Sequence, residues 1–223
     1  QQQRPTSDTV WQLMSTSKPS DELMMERAMR NAEKARLVSS PNPWVGSVMV
    51  TPDGEVFDGW TMPVGEGHAE VNCLLEAGSH SRGSTLYTTL EPCSHTGNTP
   101  PCSEALIKAG VERVVIGIVD PDEKVNGQGI AHLKASGVEV EVGVKEAEVR
   151  SQLLPYIHHR ETGRPYVVVK VAMTLDGRIA APDGSSQWIT GPAAREAGHK
   201  LRAYSDAVCV GAETVRLDNC LLY

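Results

Sequence analysis

HAEVNCLLEAG, residues 68–78, sets a helix-like apolar run directly behind a histidine and, two places on, a glutamate. In mid-helix, two such residues diverge by about 200° at 3.6 residues per turn, but at a helix start both can lean past the terminus toward one point. Reading this stretch as a helix start decides the fold, because strands are expected on both sides of it.

Upstream, Ser20 can cap a helix whose first turn holds Asp21 and Glu22, with Met25, Met29, Ala32 and Ala35 at roughly helical spacing to about Leu37. WVGSVMV and EVFDGW flank Thr51-Pro52-Asp53-Gly54 and predict two antiparallel strands around a turn. Downstream come a strand at STLYTTL, a Pro/Gly-rich loop over 91–101, and a helix from Cys102 to Ala109 closed by Gly110. A buried strand VERVVIGIV, a helix GIAHLKASG and a half-exposed strand VEVEVG follow. Alternation of this kind predicts an α/β layered domain.

Residues 145–163 read as a polar helical stretch interrupted by Pro155, and a new apolar strand, YVVVKVAMTL, begins after Pro165. The expected organisation is a disordered lead-in over 1–20, a domain over 21–145, a linker helix over 146–163 and a second unit over 164–223. The 58 residues from Tyr166 onward are fewer than the roughly 70 to 80 that a single core usually needs, so the second unit reads as partial.

Composition narrows the function. The chain has 223 residues, 40% of them hydrophobic, and a net charge of −7 without a Lys/Arg cluster, so it lacks the basic stripe that phosphate backbones require. Neither a signal sequence nor a membrane-spanning run is evident. Five scattered cysteines point to a reducing, cytoplasmic compartment with thiols available to metal.

TLEPCSHTGNTPPC, residues 89–102, places Cys93 after a proline at a strand end and Cys102 at the start of the next helix. One imidazole and two thiolates, from His68, Cys93 and Cys102, are three ligands of the kind a catalytic zinc takes, leaving a fourth position for water. Helix N-termini at His68 and Cys102 favour thiolate, and Glu70 then sits beside the metal without ligating it. The bland alternative is a closed structural zinc site with His95 as fourth ligand.

The H-x-E and P-C elements resemble those of zinc-dependent nucleobase deaminases, although eight residues, not two, separate the cysteines. Together with SPNPWVG, GHAE and the insert in TLEPCSHTGNTPPC, the chain resembles the bifunctional riboflavin-biosynthesis deaminase/reductase family over nearly all of residues 22–223. The resemblance implies a cytidine-deaminase-like three-layer domain, then the start of a dihydrofolate-reductase-like α/β domain using NADPH. It implies His68, Cys93 and Cys102 as zinc ligands and Glu70 as proton shuttle. The implied reaction is deamination of 2,5-diamino-6-(5-phosphoribosylamino)pyrimidin-4(3H)-one to the corresponding aminouracil. Asn42 is the expected substrate contact in this domain, with His95 and Asp120 as weaker candidates.

In the second unit, VVVKVAMTLDGRIAAPDGSSQWITG and LRAYSDAVCVGAETVRLDN resemble the opening of the family's reductase domain. By that resemblance Ala172, Trp188, Thr214 and Asp218 face the cofactor, and Ser186, Arg202 and Leu222 face the substrate. Arg202 suits a phosphate, whose oxygens a guanidinium fork matches. The expected partner is a small pyrimidine ribonucleotide, not nucleic acid or membrane, and self-association into a homo-oligomer stays open. A nucleic-acid or other nucleoside deaminase of the same fold, and a catalytically silent relative, are the competing readings.

Overall fold

The computed structural model describes residues 20–96 and 100–218. The lead-in expected over 1–20 therefore lies outside the described residues except for Ser20. The chain divides into two units, 1–163 and 164–223.

In the first unit, helix α1 (Asp21–Ala35) starts where Ser20 Oγ accepts the Leu23 N–H, and its first turn carries Asp21 and Glu22. Met24, Met25, Ala28, Ala32 and Ala35 form its buried stripe. Strands β1 (Gly46–Val50) and β2 (Val56–Trp60) form the expected hairpin. Helix α2 (Ala69–Ala77), strand β3 (Thr85–Leu90), helix α3 (Cys102–Ala109), strand β4 (Arg113–Ile118), helix α4 (Gln128–Ala135) and strand β5 (Glu139–Val142) follow. The sheet order is β2-β1-β3-β4-β5. β1 pairs antiparallel with both β2 and β3, while β3, β4 and β5 run parallel.

Alternating strand residues divide between two cores. Val48, Tyr87 and Val115 face Met24, Met25 and Ala28 of α1. Met49, Leu86, Val114 and Ile116 face Cys73 of α2, Leu106 of α3 and Leu133 of α4. This is the three-layer α/β/α arrangement expected from the family resemblance, with helices covering both faces of the sheet.

The stretch expected to be a linker behaves differently. It forms α5 (Glu146–Gln152) and α6 (Leu154–Thr162), and Val149, Leu153, Tyr156 and Ile157 are buried in the first core. Pro155 falls in the first turn of α6, where its missing N–H costs no helical bond, so it restarts the helix. The four buried positions keep helical spacing across that restart, which ties both helices to the first unit.

In the second unit, α7 (Pro192–Ala203) and α8 (Ala212–Asp218) are helical. The strand expected at YVVVKVAMTL is not formed: residues 166–173 carry no ladder. Val167, Val169 and Met173 are largely exposed. A strand is held by hydrogen bonds to a neighbouring backbone, and no such neighbour is present among the described residues of this unit.

Arg113 fastens the first unit across its layers. It makes two hydrogen bonds to the Asp21 carboxylate, at 2.9 and 2.8 Å, and also pairs with Glu139 and Glu141 of the edge strand. Tyr87 O–H donates to the same Asp21 at 2.8 Å. The Arg113 guanidinium holds the Asp21 carboxyl below its ordinary value of 3.8, with Tyr87 lowering it further against a partial burial cost. Because the folded pKa is the lower one, this contribution is present above 3.8 and is lost as pH falls through the folded value. Asp21→Asn should therefore melt earlier than wild type at neutral pH, with the gap closing as pH drops below that value. Melting curves of the two proteins across the acid range check this; a gap that does not change with pH would contradict it.

Candidate metal centre and active site

One end of the sheet gathers the chemistry. β1 begins there, opposite the end of β2 and of β3, and β4 ends alongside β3. The segments 39–45, 61–68, 91–101 and 119–127 therefore all leave or enter the sheet at this edge, the carboxyl end of the parallel strands, where open α/β sheets place their ligands.

His68 is the N-cap of α2 in extended backbone (φ −73°, ψ 166°), and its side chain makes no capping bond. The helix is pressed onto β2 at Gly59, where a Cβ would lie 2.2 Å from the Ala69 carbonyl oxygen and 2.7 Å from the Cys73 nitrogen. Only glycine permits that approach, and it fixes where α2 begins. Asn72 secures the preceding loop: its side-chain amide donates to the carbonyls of Trp60 and Gly67 at 2.7 and 3.0 Å.

His68 Nδ1 lies 3.6 Å from Cys93 Sγ and 3.3 Å from Cys102 Sγ. The three donor atoms all fall within 4.8 Å of one another, as a shared ion requires. The start of α3 holds Cys93 in place. The Cys102 N–H donates to Cys93 Sγ at 3.4 Å, and the Ser103 N–H donates to the Cys93 carbonyl at 3.1 Å. The two thiols are hydrogen-bonded to each other: the bond from Cys102 holds Cys93 below the ordinary thiol range, while the same bond and burial push Cys102 up. An imidazole and two thiols converging at helix N-termini fit zinc, whose borderline-soft character suits that donor set.

Glu70, in the first turn of α2, is 4% exposed and stands outside the ligand cluster. Burial pushes its carboxyl up to about 7, against the opposing influence of His68. A carboxyl titrating near neutrality beside a metal set can both take and return a proton.

The other expected residues fall in different places. Asn42 is half-buried in a turn closed by its own N–H to the Ser39 carbonyl at 2.8 Å. The segment after it is pinned to the same sheet edge: Thr61 Oγ1 accepts the Val45 N–H, and Thr89 Oγ1 accepts the Gly46 N–H, each at 3.2 Å. His95 is exposed and outside the cluster, so the closed four-ligand alternative finds no support here. Asp120 is buried and serves the fold, since its Oδ1 accepts the Tyr156 O–H and the Asp122 N–H, each at 2.9 Å.

In the second unit Ala172 is half-buried, Ser186 and Thr214 are exposed, and Trp188 is 70% exposed beneath the Arg195 guanidinium at 4.3 Å. Arg202, on α7, reaches His199 Nδ1 at 3.4 Å. Leu222 and the side chain of Asp218 lie outside the described residues. A second cluster, Asp53, Glu55 and His80, is exposed, and its groups bond among themselves and to Thr51 at the hairpin turn.

Residues 18–118 match the family model of the cytidine and deoxycytidylate deaminase zinc-binding region, and residues 165–223 match that of the RibD C-terminal domain. The riboflavin biosynthesis protein RibD of Chlamydia trachomatis is 46% identical over 195 residues, 87% of this chain and 52% of that protein. The RibD of Escherichia coli is 44% identical over 200 residues, 89% and 54% respectively. Over about nine tenths of its length the chain is similar to these RibD proteins. A solved structure of Acinetobacter baumannii RibD superposes with a TM-score of 0.83 at 44% identity, covering 91% of this chain and 57% of that one. A Thermotoga maritima structure described as a diaminohydroxyphosphoribosylaminopyrimidine deaminase/5-amino-6-(5-phosphoribosylamino)uracil reductase superposes at 0.84 and 40% identity, covering 90% and 58%. The chain spans about half the length of the curated relatives it matches.

This site generates a direct expectation. If His68, Cys93 and Cys102 hold zinc, Cys93→Ser replaces a soft thiolate in a three-ligand set, so purified wild type should carry about one zinc per chain and the variant almost none. Elemental analysis after gel filtration reads the difference; a variant that keeps its zinc would remove Cys93 from the ligand set.

Proposed function

We propose that the first unit is a zinc-dependent hydrolase deaminating 2,5-diamino-6-(5-phosphoribosylamino)pyrimidin-4(3H)-one to 5-amino-6-(5-phosphoribosylamino)uracil, a step of riboflavin biosynthesis. The carrying observation is the convergence of His68 Nδ1 with the thiols of Cys93 and Cys102 beside the buried carboxyl of Glu70. The family relation supports the choice of pyrimidine.

Zinc held by His68, Cys93 and Cys102 would supply Lewis-acid activation of a water, bringing its pKa toward ~7. Glu70 takes a proton from that water as oxygen bonds to the amine-bearing ring carbon, and delivers it to the adjacent ring nitrogen. Glu70 then carries the second proton to the amine as the carbon–nitrogen bond breaks. Water thus provides one oxygen and two protons, and the products are the ring carbonyl and ammonia. Burial of Glu70 keeps bulk water from competing for those protons. Asn42, half-buried at the same sheet edge, is the proposed substrate contact in this unit.

The second unit is proposed to correspond to the start of the NADPH-dependent reductase part of the family. Ala172, Trp188, Thr214 and Asp218 are the proposed cofactor contacts; Ser186, Arg202 and Leu222 are the proposed substrate contacts. We place the protein in the reducing cytoplasm, a reading supported by the free thiols of Cys73, Cys93, Cys102 and Cys209 and by the absence, among the described residues, of any helix long and apolar enough to cross a membrane. The net charge of −7 argues for a small nucleotide over a nucleic acid.

Glu70→Gln should keep zinc, because the carboxyl lies outside the ligand set, yet lose ~10² to 10⁴ in deamination, the range for a missing general acid/base. Ammonia release and zinc content, measured on the same preparation, check both halves. Equal turnover in variant and wild type would take Glu70 out of the mechanism.

A dinucleotide site in an α/β fold is built on strand ends, and residues 166–173 form no strand here. This 223-residue chain is therefore expected to release ammonia from the diaminopyrimidine phosphate without consuming NADPH. An NADPH-absorbance assay reads the second step; stoichiometric oxidation with ribityl product would overturn the expectation.

A further inference from the structure

Glu91 precedes the Pro92-Cys93 pair and is 3% exposed, yet it plays no part in the chemistry proposed above. Its side chain reaches across to the segment after β4. Oε2 accepts the Asp120 N–H at 3.2 Å and the Gly127 N–H at 2.9 Å, and Oε1 accepts the Ile130 N–H at 3.2 Å. Gly127 is the N-cap of α4 and supplies no side-chain cap of its own. A helix start leaves N–H groups without partners, and here a carboxylate from another element meets two of them, Gly127 and Ile130, where the helix dipole also favours negative charge.

The same helix turn touches the ligand loop by a second route. A Cβ on Gly129 would fall 1.9 Å from the Pro92 carbonyl oxygen. The backbone of α4 is therefore seated against the peptide leading into Cys93. The Glu91 N–H, for its part, donates to the Ile118 carbonyl at 3.1 Å and extends the β3–β4 ladder to the edge of the site.

We propose that Glu91 is a positioning residue for the Cys93 ligand: by capping α4 from the β3 end, it clamps Pro92 against Gly129 and sets where the thiol stands relative to His68 and Cys102. This rests on reading those three residues as the zinc set. A Gln at 91 would keep the length but only one acceptor oxygen. Its NH₂ group would then oppose an N–H that Glu91 now accepts, and the clamp would loosen.

The test measures zinc affinity by chelator competition on the full chain, at a temperature where circular dichroism shows each protein folded. Glu91→Gln should bind zinc ~10- to 100-fold more weakly than wild type, the range for losing a partner that orients a ligand. Gly129→Ala leaves Glu91 intact but pushes on Pro92, and should weaken zinc in the same direction. Wild-type affinity in both Glu91→Gln and Gly129→Ala would overturn the proposal. Failure of wild type itself to bind zinc would instead remove the metal-site reading.

A measurement on the unmutated chain covers the case in which both variants fail to fold. Because coupling is reciprocal, adding zinc to wild type should slow hydrogen exchange at the Gly127 and Ile130 amides. Unchanged exchange there, with zinc bound, would equally overturn the proposal.

Discussion

The meeting of one imidazole with two thiols at the sheet edge depends on two helices starting in the right places. α2 lies against β2 because Gly59 has no side chain to hold it off, and that seat puts His68 at the edge with its ring free of capping duty. α3 begins where Cys102 and Ser103 can donate backbone N–H groups to the sulfur and carbonyl of Cys93. The N-terminus of α3 and the bond from Cys102 thus favour the thiolate of Cys93, while burial and that same bond keep the proton on Cys102.

Glu70 draws its character from the same arrangement. A carboxyl in an exposed first helical turn would favour its charged form, helped by the helix dipole. Here the turn faces inward, and burial outweighs the opposing influence of His68. Position in the chain makes Glu70 a neighbour of His68 and the two thiols; desolvation raises its carboxyl toward neutrality.

The two units differ in how far their apolar strands are answered. In the first, core-facing strand residues on both sheet faces cluster with helix residues, and the exposed edge strand β5 presents Glu139 and Glu141 to Arg113, a charged edge of the kind that discourages further strand pairing. In the second, Val167, Val169 and Met173 are exposed, and the described residues supply two helices without a sheet. The residues that resemble cofactor and substrate contacts are accordingly spread over loops and helices.

The sequence by itself determined the donor types, the helix starts at Ser20, His68 and Cys102, the hairpin at Thr51–Gly54 and the Val/Glu alternation of β5. Each of these is a local pattern, readable from capping chemistry, turn residues or side-chain period within a few positions. Tertiary structure decided the rest. Asp120 looked like a ligand contact, yet it bonds Tyr156, 36 residues away. Glu91 opens the Pro/Gly-rich loop over 91–101, yet it answers amides 29, 36 and 39 residues distant. Val149, Leu153, Tyr156 and Ile157 looked like part of a polar linker until the sheet gave them a face to cover. The apolar run at 166–173 has the composition of a strand, but composition supplies only side chains. A ladder needs the N–H and C=O groups of a second backbone about 4.8 Å away, and no local pattern can say whether that backbone is present.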